Sequence, residues 1–497
     1  MQNEESLKQK TMKGLFWSFS DLFANQGIQF IIQIILARVL LPEHFGLIGM
    51  ITVFISISNL IIDSGVSQAL IREQNTTQAE YSTVFYFNLF MALIMYGFLF
   101  LLAPAISSFF HESKLTLILR VLSIGIIINS FGIIQKAQMI KKIDFKTQTK
   151  ISFISGIVSG IIGTIFALLG FGVWSLIVKT ISMQVIQSGL LWKFVGWIPS
   201  LVFKMESFRR LFGFGVKIML AGLLSTIYSN IYYVIIGRYF AATQLGYFTN
   251  ASKLNDVASQ SITSALQSVT YPVLSKIQKE EEKLKFGFKK IIKTSTYIHF
   301  PIMMGLATIA EPLIHLLFGE KWMPMVIYFQ LLCLAGMLYP LNAINLNILQ
   351  VKGKSDLFLL ISIVKKVLVT IMIILTIWLK LGVIGLVSLT IIDSYSSFWI
   401  NSFFSGREIS YSSFEQVKDI SITFLMTIIM GATVYVCGAF LPDHDLMKII
   451  IQIFMELVIY ISMSKWVKVQ ELKEILQIMG PLLKREKIKN VKLTGRG

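Results

Sequence analysis

The stretch ILARVLLPEHFG, from Ile35 to Gly46, has a counterpart later in the chain, IIGRYFAATQLG, from Ile235 to Gly246. In both stretches an arginine ends an apolar run and a glycine follows at the same spacing. Arg38 and Gly46 thereby correspond to Arg238 and Gly246. Because chance identities are common in apolar sequence, this pair predicts a repeat only if other landmarks recur in the same order.

Three further landmarks recur in that order. The segment PAISSFF (104–110) is echoed by PLIHLLF (312–318). The other matching sets are Gln138, Lys142 and Asp144 with Gln350, Lys354 and Asp356, and Gly172, Val173 and Leu176 with Gly382, Val383 and Leu386. We therefore predict two copies of one six-helix unit, inserted in parallel and related by a pseudo-two-fold axis along the membrane normal.

The composition indicates an integral membrane protein. Hydrophobic residues make up 55% of the 497 residues and charged residues only 14%, against about 25% in soluble domains. The apolar runs are long and lack the alternation of a barrel strand, which predicts an all-α membrane protein. We expect no cleavable signal peptide, since the first apolar run is too long and lacks a small-residue cleavage site.

Fourteen spans are predicted, with two lobes around a central cavity and an appended C-terminal hairpin. The predicted spans are 14–38, 44–69, 81–105, 115–137, 148–169, 172–195, 211–238, 245–272, 288–317, 325–350, 356–379, 382–404, 418–440 and 446–464. We expect tight hairpins at residues 169–171 and 380–381. The predicted domains are an N-lobe (1–200), a C-lobe (201–410), the hairpin (411–464) and a basic tail (465–497).

The formal net charge of +18 follows mainly from the orientation of the chain. Lys and Arg concentrate on the side that holds the N-terminus, the connections after the fourth, sixth and eighth spans, and the tail. The positive-inside rule makes that side cytoplasmic, with both termini inside. Attraction to anionic lipid headgroups accounts for the rest, so nucleic acid is not an expected partner.

Polar side chains recur at helical spacing in the first, second and eighth spans. Such residues are costly in a membrane and face either a partner helix or a water-filled cavity. Hydrogen bonding between helices is the simpler explanation for single hydroxyl and amide groups, whereas the carboxylates favour a cavity. The candidate cavity residues are Ser18, Asp21, Asn25, Gln29, Ser56, Asn59, Asp63, Asn250, Asp256 and Gln260.

The sequence contains none of the common enzyme motifs. It lacks a GxxxxGK[ST] phosphate loop, HExxH, CxxC and GxSxG, and no connection between spans is long enough for a catalytic domain. Cys333 and Cys437 stand far apart, so neither a metal site nor a disulfide framework is expected. We predict a transporter that is not an enzyme, needs no cofactor or metal, and is driven by an ion gradient, the membrane potential or the substrate's own gradient.

The N-terminal third resembles a known family. The segment KGLFWSFSDLFANQGIQFIIQIILARVLLPEHFGLIGM, followed by LIIDSGVSQALIRE, is similar to bacterial polysaccharide exporters. These are the Wzx-type oligosaccharide flippases of the multidrug/oligosaccharidyl-lipid/polysaccharide superfamily. The likeness is strongest to the fourteen-span branch associated with colanic and teichuronic acid export.

The resemblance implies a flippase in the cytoplasmic (inner) membrane of a bacterium that moves a polyprenyl-diphosphate-linked oligosaccharide. Na⁺ or H⁺ would be the coupling ion, and a polysaccharide polymerase and glycosyltransferases would be partners. The candidate cations for the diphosphate are Lys253, Lys217, Arg38 and Arg238. Relatives that flip cell-wall precursors use basic residues on the first two spans, where this chain has Asp21 and Asp63. The alternatives are an ion-coupled multidrug antiporter of the same superfamily and a non-transporting scaffold of an assembly complex.

Overall fold

The protein was analysed as a computed structural model that describes residues 26–73, 75–474 and 477. In this part of the chain the regular elements are helices. The helices before residue 240 are α1 (Gln26–Val39), α2 (Pro42–Asp63), α3 (Val66–Arg72), α4 (Gln78–Phe110), α5 (Leu115–Leu122), α6 (Ile124–Lys141), α7 (Phe145–Leu168), α8 (Val173–Val195), α9 (Met205–Ser229) and α10 (Ile231–Tyr239).

The remaining helices follow a short break after Tyr239. They are α11 (Ala242–Lys276), α12 (Glu281–Thr308), α13 (Ala310–Phe318), α14 (Met325–Gly336), α15 (Tyr339–Val351), α16 (Ser355–Trp378), α17 (Gly382–Ile409), α18 (Ser413–Gly438) and α19 (Asp445–Trp466). A short 3-10 helix, Glu320–Trp322, lies between α13 and α14.

A helix or a pair of consecutive helices lies at each predicted span, with the start of the first span (14–25) outside the described residues. In the described residues, 10 helices are long and apolar enough to cross a membrane, or 11 if α12 and α13, bent by 66°, form one span. The all-helical membrane fold is therefore confirmed, and the count of fourteen stays a prediction. The described part of α1 is short, and neither α8 nor the polar α11 is among these 10.

The helices expose many large hydrophobic side chains on their surface. Large hydrophobic side chains point outward, among them Leu101, Trp378 and Phe440, which are 78%, 76% and 85% exposed. Burying them in lipid removes apolar area from water, which is favourable by about 25 cal/mol per Å². Water-exposed patches of this kind do not occur on soluble monomers, so the helices lie in a bilayer.

The two tight hairpins predicted from the sequence are present. Helix α7 ends at Leu168 and α8 starts at Val173; α16 ends at Trp378 and α17 starts at Gly382. The first connection turns through Gly170 and Gly172, which have φ of +83° and +55°, backbone conformations that favour glycine.

The chain divides into two compact units. The first comprises Met1–Asn250 with Leu317–Trp322, and the second comprises Ala251–Leu316 with Met323–Gly497. The limit falls inside α11, so that Asn250 belongs to the first unit and Lys253 to the second. The predicted limits at 200, 410 and 464 follow from the repeat and stay a prediction, and most of the predicted basic tail lies outside the described residues.

Candidate functional site

Arg38 and Arg238 make equivalent hydrogen bonds in the first unit. Arg38 donates from Nε to the carbonyl of Leu317 over 2.9 Å. Arg238 donates to the carbonyl of Phe109 and lies 5.0 Å from the centroid of its ring. Phe109 and Leu317 occupy the same position in PAISSFF and PLIHLLF. Arg38 of the first predicted copy therefore binds a carbonyl of the second copy, and Arg238 of the second copy binds the equivalent carbonyl of the first.

The glycines that follow the two arginines also contact the opposite predicted copy in a reciprocal way. A Cβ placed on Gly46 would lie 1.8 Å from the Ala242 carbonyl oxygen, and one on Gly246 would lie 1.9 Å from that of Pro42. Pro42 and Ala242 are equivalent positions of the two stretches. Reciprocal contacts of this kind are what a two-fold axis produces. They support the predicted duplication, and they explain the recurring glycines by the close approach of two backbones.

The segment 317–322 is anchored in the first unit by its tryptophan. Trp322 is fully buried, donates from Nε1 to the Ala37 carbonyl over 2.9 Å, and packs edge-on against Phe45 and Tyr247. Lys321 donates to the Arg38 carbonyl over 2.8 Å, and its partial burial lowers the pKa of its ammonium group. Arg38 and Arg238 thus have a structural role, and their predicted part in diphosphate binding stays a prediction.

A polar cavity of about 350 Å³ lies inside the first unit, between α2, α3, α6 and α8. Two predicted residues, Asn59 and Asp63, line it. Asn129 donates to the Asn59 side-chain oxygen over 3.2 Å, and Ser67 donates to the Asp63 carboxylate. The other polar side chains in the wall are Gln68, Lys136, Gln184, Gln187 and Ser188.

The cavity wall carries both charge signs and unused hydrogen-bonding capacity. Asp63 supplies a carboxylate and Lys136 an ammonium group. The side-chain oxygen of Gln184 is buried without a hydrogen-bond partner in the described residues. A Cβ on Gly125 would lie 2.0 Å from that oxygen, so Gly125 gives the amide its room. An unpaired buried amide oxygen costs about 1–3 kcal/mol.

Helix α11 separates the predicted polar residues into two kinds. Asn250, at the edge of the first unit, is 1% exposed and accepts a hydrogen bond from Gln33 over 2.5 Å, which links it to α1. Lys253, Asp256 and Gln260, in the second unit, lie on one exposed side of the helix at spacings of three and four residues. Asn250 therefore links helices, whereas the side chains of the other three are exposed within the second unit.

The remaining predicted residues are dispersed. Gln29 donates to the sulfur of Met183 over 3.6 Å, Ser56 is half-buried on α2, and Lys217 is exposed on α9 of the first unit. Ser18, Asp21 and Asn25 lie outside the described residues. Sequence reasoning did not find Asn129, Gln184 and Gln187. A signal was present, because Gln184 and Gln187 are three residues apart and share a face of α8.

The fold and the polar residues within it define a multi-pass helical membrane protein. The chain belongs to the family described as polysaccharide biosynthesis protein, whose model matches residues 35–327. This match confirms the resemblance seen in the sequence.

Two curated relatives and one solved structure show how far the similarity extends. An uncharacterized membrane protein in the cps region of Klebsiella pneumoniae is 28% identical and covers 91% of this chain and 99% of its own. The teichuronic acid biosynthesis protein TuaB of Bacillus subtilis (strain 168) is 27% identical over 60% of this chain and 62% of its own. The lipid II flippase MurJ, in an inward closed conformation, has the same fold, with a TM-score of 0.72, 16% identity and coverage of 91% and 98%.

Proposed function

We propose that this protein is a flippase that moves a polyprenyl-diphosphate-linked oligosaccharide across the cytoplasmic membrane by alternating access, for the biosynthesis of a surface polysaccharide. The family match and the relatives named for a cps region and for teichuronic acid biosynthesis support a polysaccharide pathway. The fold shared with the lipid II flippase supports a lipid-linked substrate. The observation that carries the proposal is the polar cavity enclosed by helices of the first unit.

The cavity suits a sugar better than an apolar drug. Amide side chains offer both donors and acceptors, which match the hydroxyl groups of a sugar. Asn59, Asn129 and Gln187 supply three such amides, and Asp63 adds an acceptor. A lipid-soluble drug would leave these amide and carboxylate groups without hydrogen-bond partners, which disfavours the multidrug alternative. A scaffold protein would gain nothing from charges inside its spans, where each is costly.

Among the predicted cations, Lys253 is our choice for the diphosphate. Arg38 and Arg238 already donate to backbone carbonyls. Lys253 shares its exposed side of α11 with Asp256 and Gln260, so an ammonium group, a carboxylate and an amide stand together. An ammonium group binds phosphate as a point charge, which tolerates the movement of a headgroup during transport.

The proposal places the protein in the inner membrane with both termini in the cytoplasm. H⁺ or Na⁺ would supply the driving force, and a polymerase and glycosyltransferases would act on the same glycan. Reporter fusions at the two termini test the orientation, since a periplasm-dependent reporter active at either terminus would contradict it.

Export of surface polysaccharide tests the role of Lys253. In a strain that depends on this protein, Lys253→Ala should abolish export and leave lipid-linked glycan on the inner leaflet, whereas Lys253→Arg should retain part of it. The matched control is Lys418→Ala, which removes an exposed lysine from α18. All variants must insert in equal amounts, measured by immunoblot of membranes. Normal export by Lys253→Ala would exclude this residue as the diphosphate site.

The cavity needs a test of its own. Asn59→Ala with Asn129→Ala removes a bonded amide pair and should reduce export without loss of inserted protein. The control is Ser421→Ala, which alters an exposed hydroxyl of α18 that bonds only to its own helix. Equal export by the double variant and the control would show that the cavity does not handle the sugar.

A further inference from the structure

Glu456 places a carboxyl group within α19, in the second unit. It lies well inside the helix, 11 residues after its start at Asp445. A carboxylate at such a depth is costly unless it is paired or carries a proton. In the described residues no charged side chain pairs with Glu456, and its hydrogen-bond partner is the hydroxyl of Thr308.

The oxygen positions around Thr308 favour a proton on Glu456. Its Oγ1 lies 2.6 Å from Oε1 of Glu456 and 2.7 Å from the carbonyl oxygen of Gly305. A hydroxyl has one hydrogen to donate, and the carbonyl can only accept. With that hydrogen on the Gly305 carbonyl, the short contact to Glu456 needs a hydrogen from the carboxyl. Both contacts are full two-centre hydrogen bonds when Glu456 is protonated, whereas an ionised Glu456 has to share the single hydroxyl hydrogen with the Gly305 carbonyl.

Helix α12 is shaped to receive this carboxyl group. A Cβ on Gly305 would lie 2.5 Å from Oε2 of Glu456 and 3.0 Å from its Cδ, so a larger residue at this position would displace the carboxyl from its place. Thr308 is 7% exposed, which keeps water from replacing the carboxyl. Glycine, threonine and glutamic acid thus form a built site on two helices.

The site lies at the bend of a broken helix. Thr308 is the last residue of α12, and α13 continues after Ile309 at an angle of 66°. Helix α19 also holds α13, because His315 contacts the Asp445 carboxylate with Nδ1 to Oδ2 of 2.5 Å. Both sides of the bend are therefore attached to α19 through titratable groups.

Several other titratable groups on the packed helices make hydrogen bonds or ion pairs of their own, and Glu311 of α13 is exposed. Tyr460, one turn from Glu456, donates to the Tyr297 carbonyl, and Tyr297 donates to Ser464. His299 bonds to the Gly336 carbonyl. The ion pairs at the opposite end of α12 and at α18 are Lys289 with Asp419, Lys290 with Glu474, and Lys293 with Glu471, while Lys285 lies near Glu415.

We propose that the carboxyl of Glu456, seated against Gly305 and bonded to Thr308, is a proton-binding site whose proton stabilises the bend between α12 and α13. Loss of the proton leaves a charge with one hydroxyl partner in an apolar helix, and the Thr308 hydroxyl must leave the Gly305 carbonyl to serve it. Whether the Thr308 hydroxyl bonds to the Gly305 carbonyl or to the ionised Glu456, the region of the bend has one hydrogen bond fewer than in the protonated state. A role of this proton in driving transport rests on the proposed function, whereas the binding of the proton to Glu456 does not.

Infrared difference spectroscopy on the full-length protein in liposomes tests the bound proton. The carbonyl stretch of a protonated carboxyl should be present at neutral pH and disappear in Glu456→Gln. Thr308→Val should shift its frequency, because the bond to the hydroxyl is lost. The control is Glu311→Gln, an exposed carboxylate beyond the break, which should change nothing in this band. A band that survives in Glu456→Gln would overturn the proposal.

Amide hydrogen exchange of residues 305–316 tests the effect on the bend. After correction for intrinsic rates, exchange in the wild type should rise about fivefold once Glu456 ionises, the effect of losing one hydrogen bond. Glu456→Gln keeps a neutral partner at every pH, so its exchange should not respond. Equal pH responses of the two proteins would refute the link to the bend. Proton binding without movement of lipid-linked glycan would refute only the proposed function.

Discussion

Replacing Gly46 or Gly246 with alanine tests the reciprocal contact in the first unit. The added Cβ would start 1.8 Å or 1.9 Å from a carbonyl oxygen, whereas real Cβ contacts stay above 3.0 Å. The backbones must therefore separate by about 1 Å. Overpacking of this kind costs about 1–3 kcal/mol, and the upper value applies because backbone faces backbone. Alanine has a helix propensity about 1 kcal/mol more favourable than that of glycine, so the free energy of unfolding should fall by about 2 kcal/mol in total.

Thermal unfolding in detergent measures this loss, with Gly97→Ala and Gly213→Ala as controls. Nothing lies within 4 Å of a Cβ at either control position. The controls should match or exceed the wild type, and Gly46→Ala and Gly246→Ala should each unfold at lower temperature. The double variant should lose less than the sum, because one separation relieves both contacts. Variants as stable as the controls, or strictly additive losses, would refute the reciprocal packing.

Three further expectations concern single contacts. Arg238→Ala removes the bond to the Phe109 carbonyl and should lower stability by about 1–2 kcal/mol, with Arg407→Ala as the matched control because its guanidinium also covers a phenylalanine ring. Trp322→Phe keeps an aromatic ring but loses the bond to the Ala37 carbonyl and part of the buried volume, and we expect at least about 1 kcal/mol less stability by the same measurement. Ser412→Ala removes the N-cap of α18 and should cost about 1 kcal/mol, while Ser412→Asp should preserve stability. An unchanged unfolding temperature for any of these alanine or phenylalanine variants would contradict the contact it tests.

The sequence determined the features that depend on local composition and order. Apolar runs fixed the helical membrane class, because an unsatisfied backbone cannot cross a bilayer. The shortness of two connections between apolar runs predicted two tight turns, and the matching order of four landmarks indicated the duplication. The recurring Arg38 and Arg238 were visible as a pattern, but their partners were not, since Leu317 and Phe109 lie far away in the chain.

Only the tertiary structure decided which polar residues share a site. Asn59 and Asn129 form a hydrogen bond because α2 and α6 line the same cavity, whereas Asn250 pairs with Gln33 of α1. The proton on Glu456 follows from counting hydrogens around Thr308, which requires distances between α12 and α19. Helical periodicity assigns a residue to a face of its own helix, but hydrogen bonds between helices depend on how those faces pack.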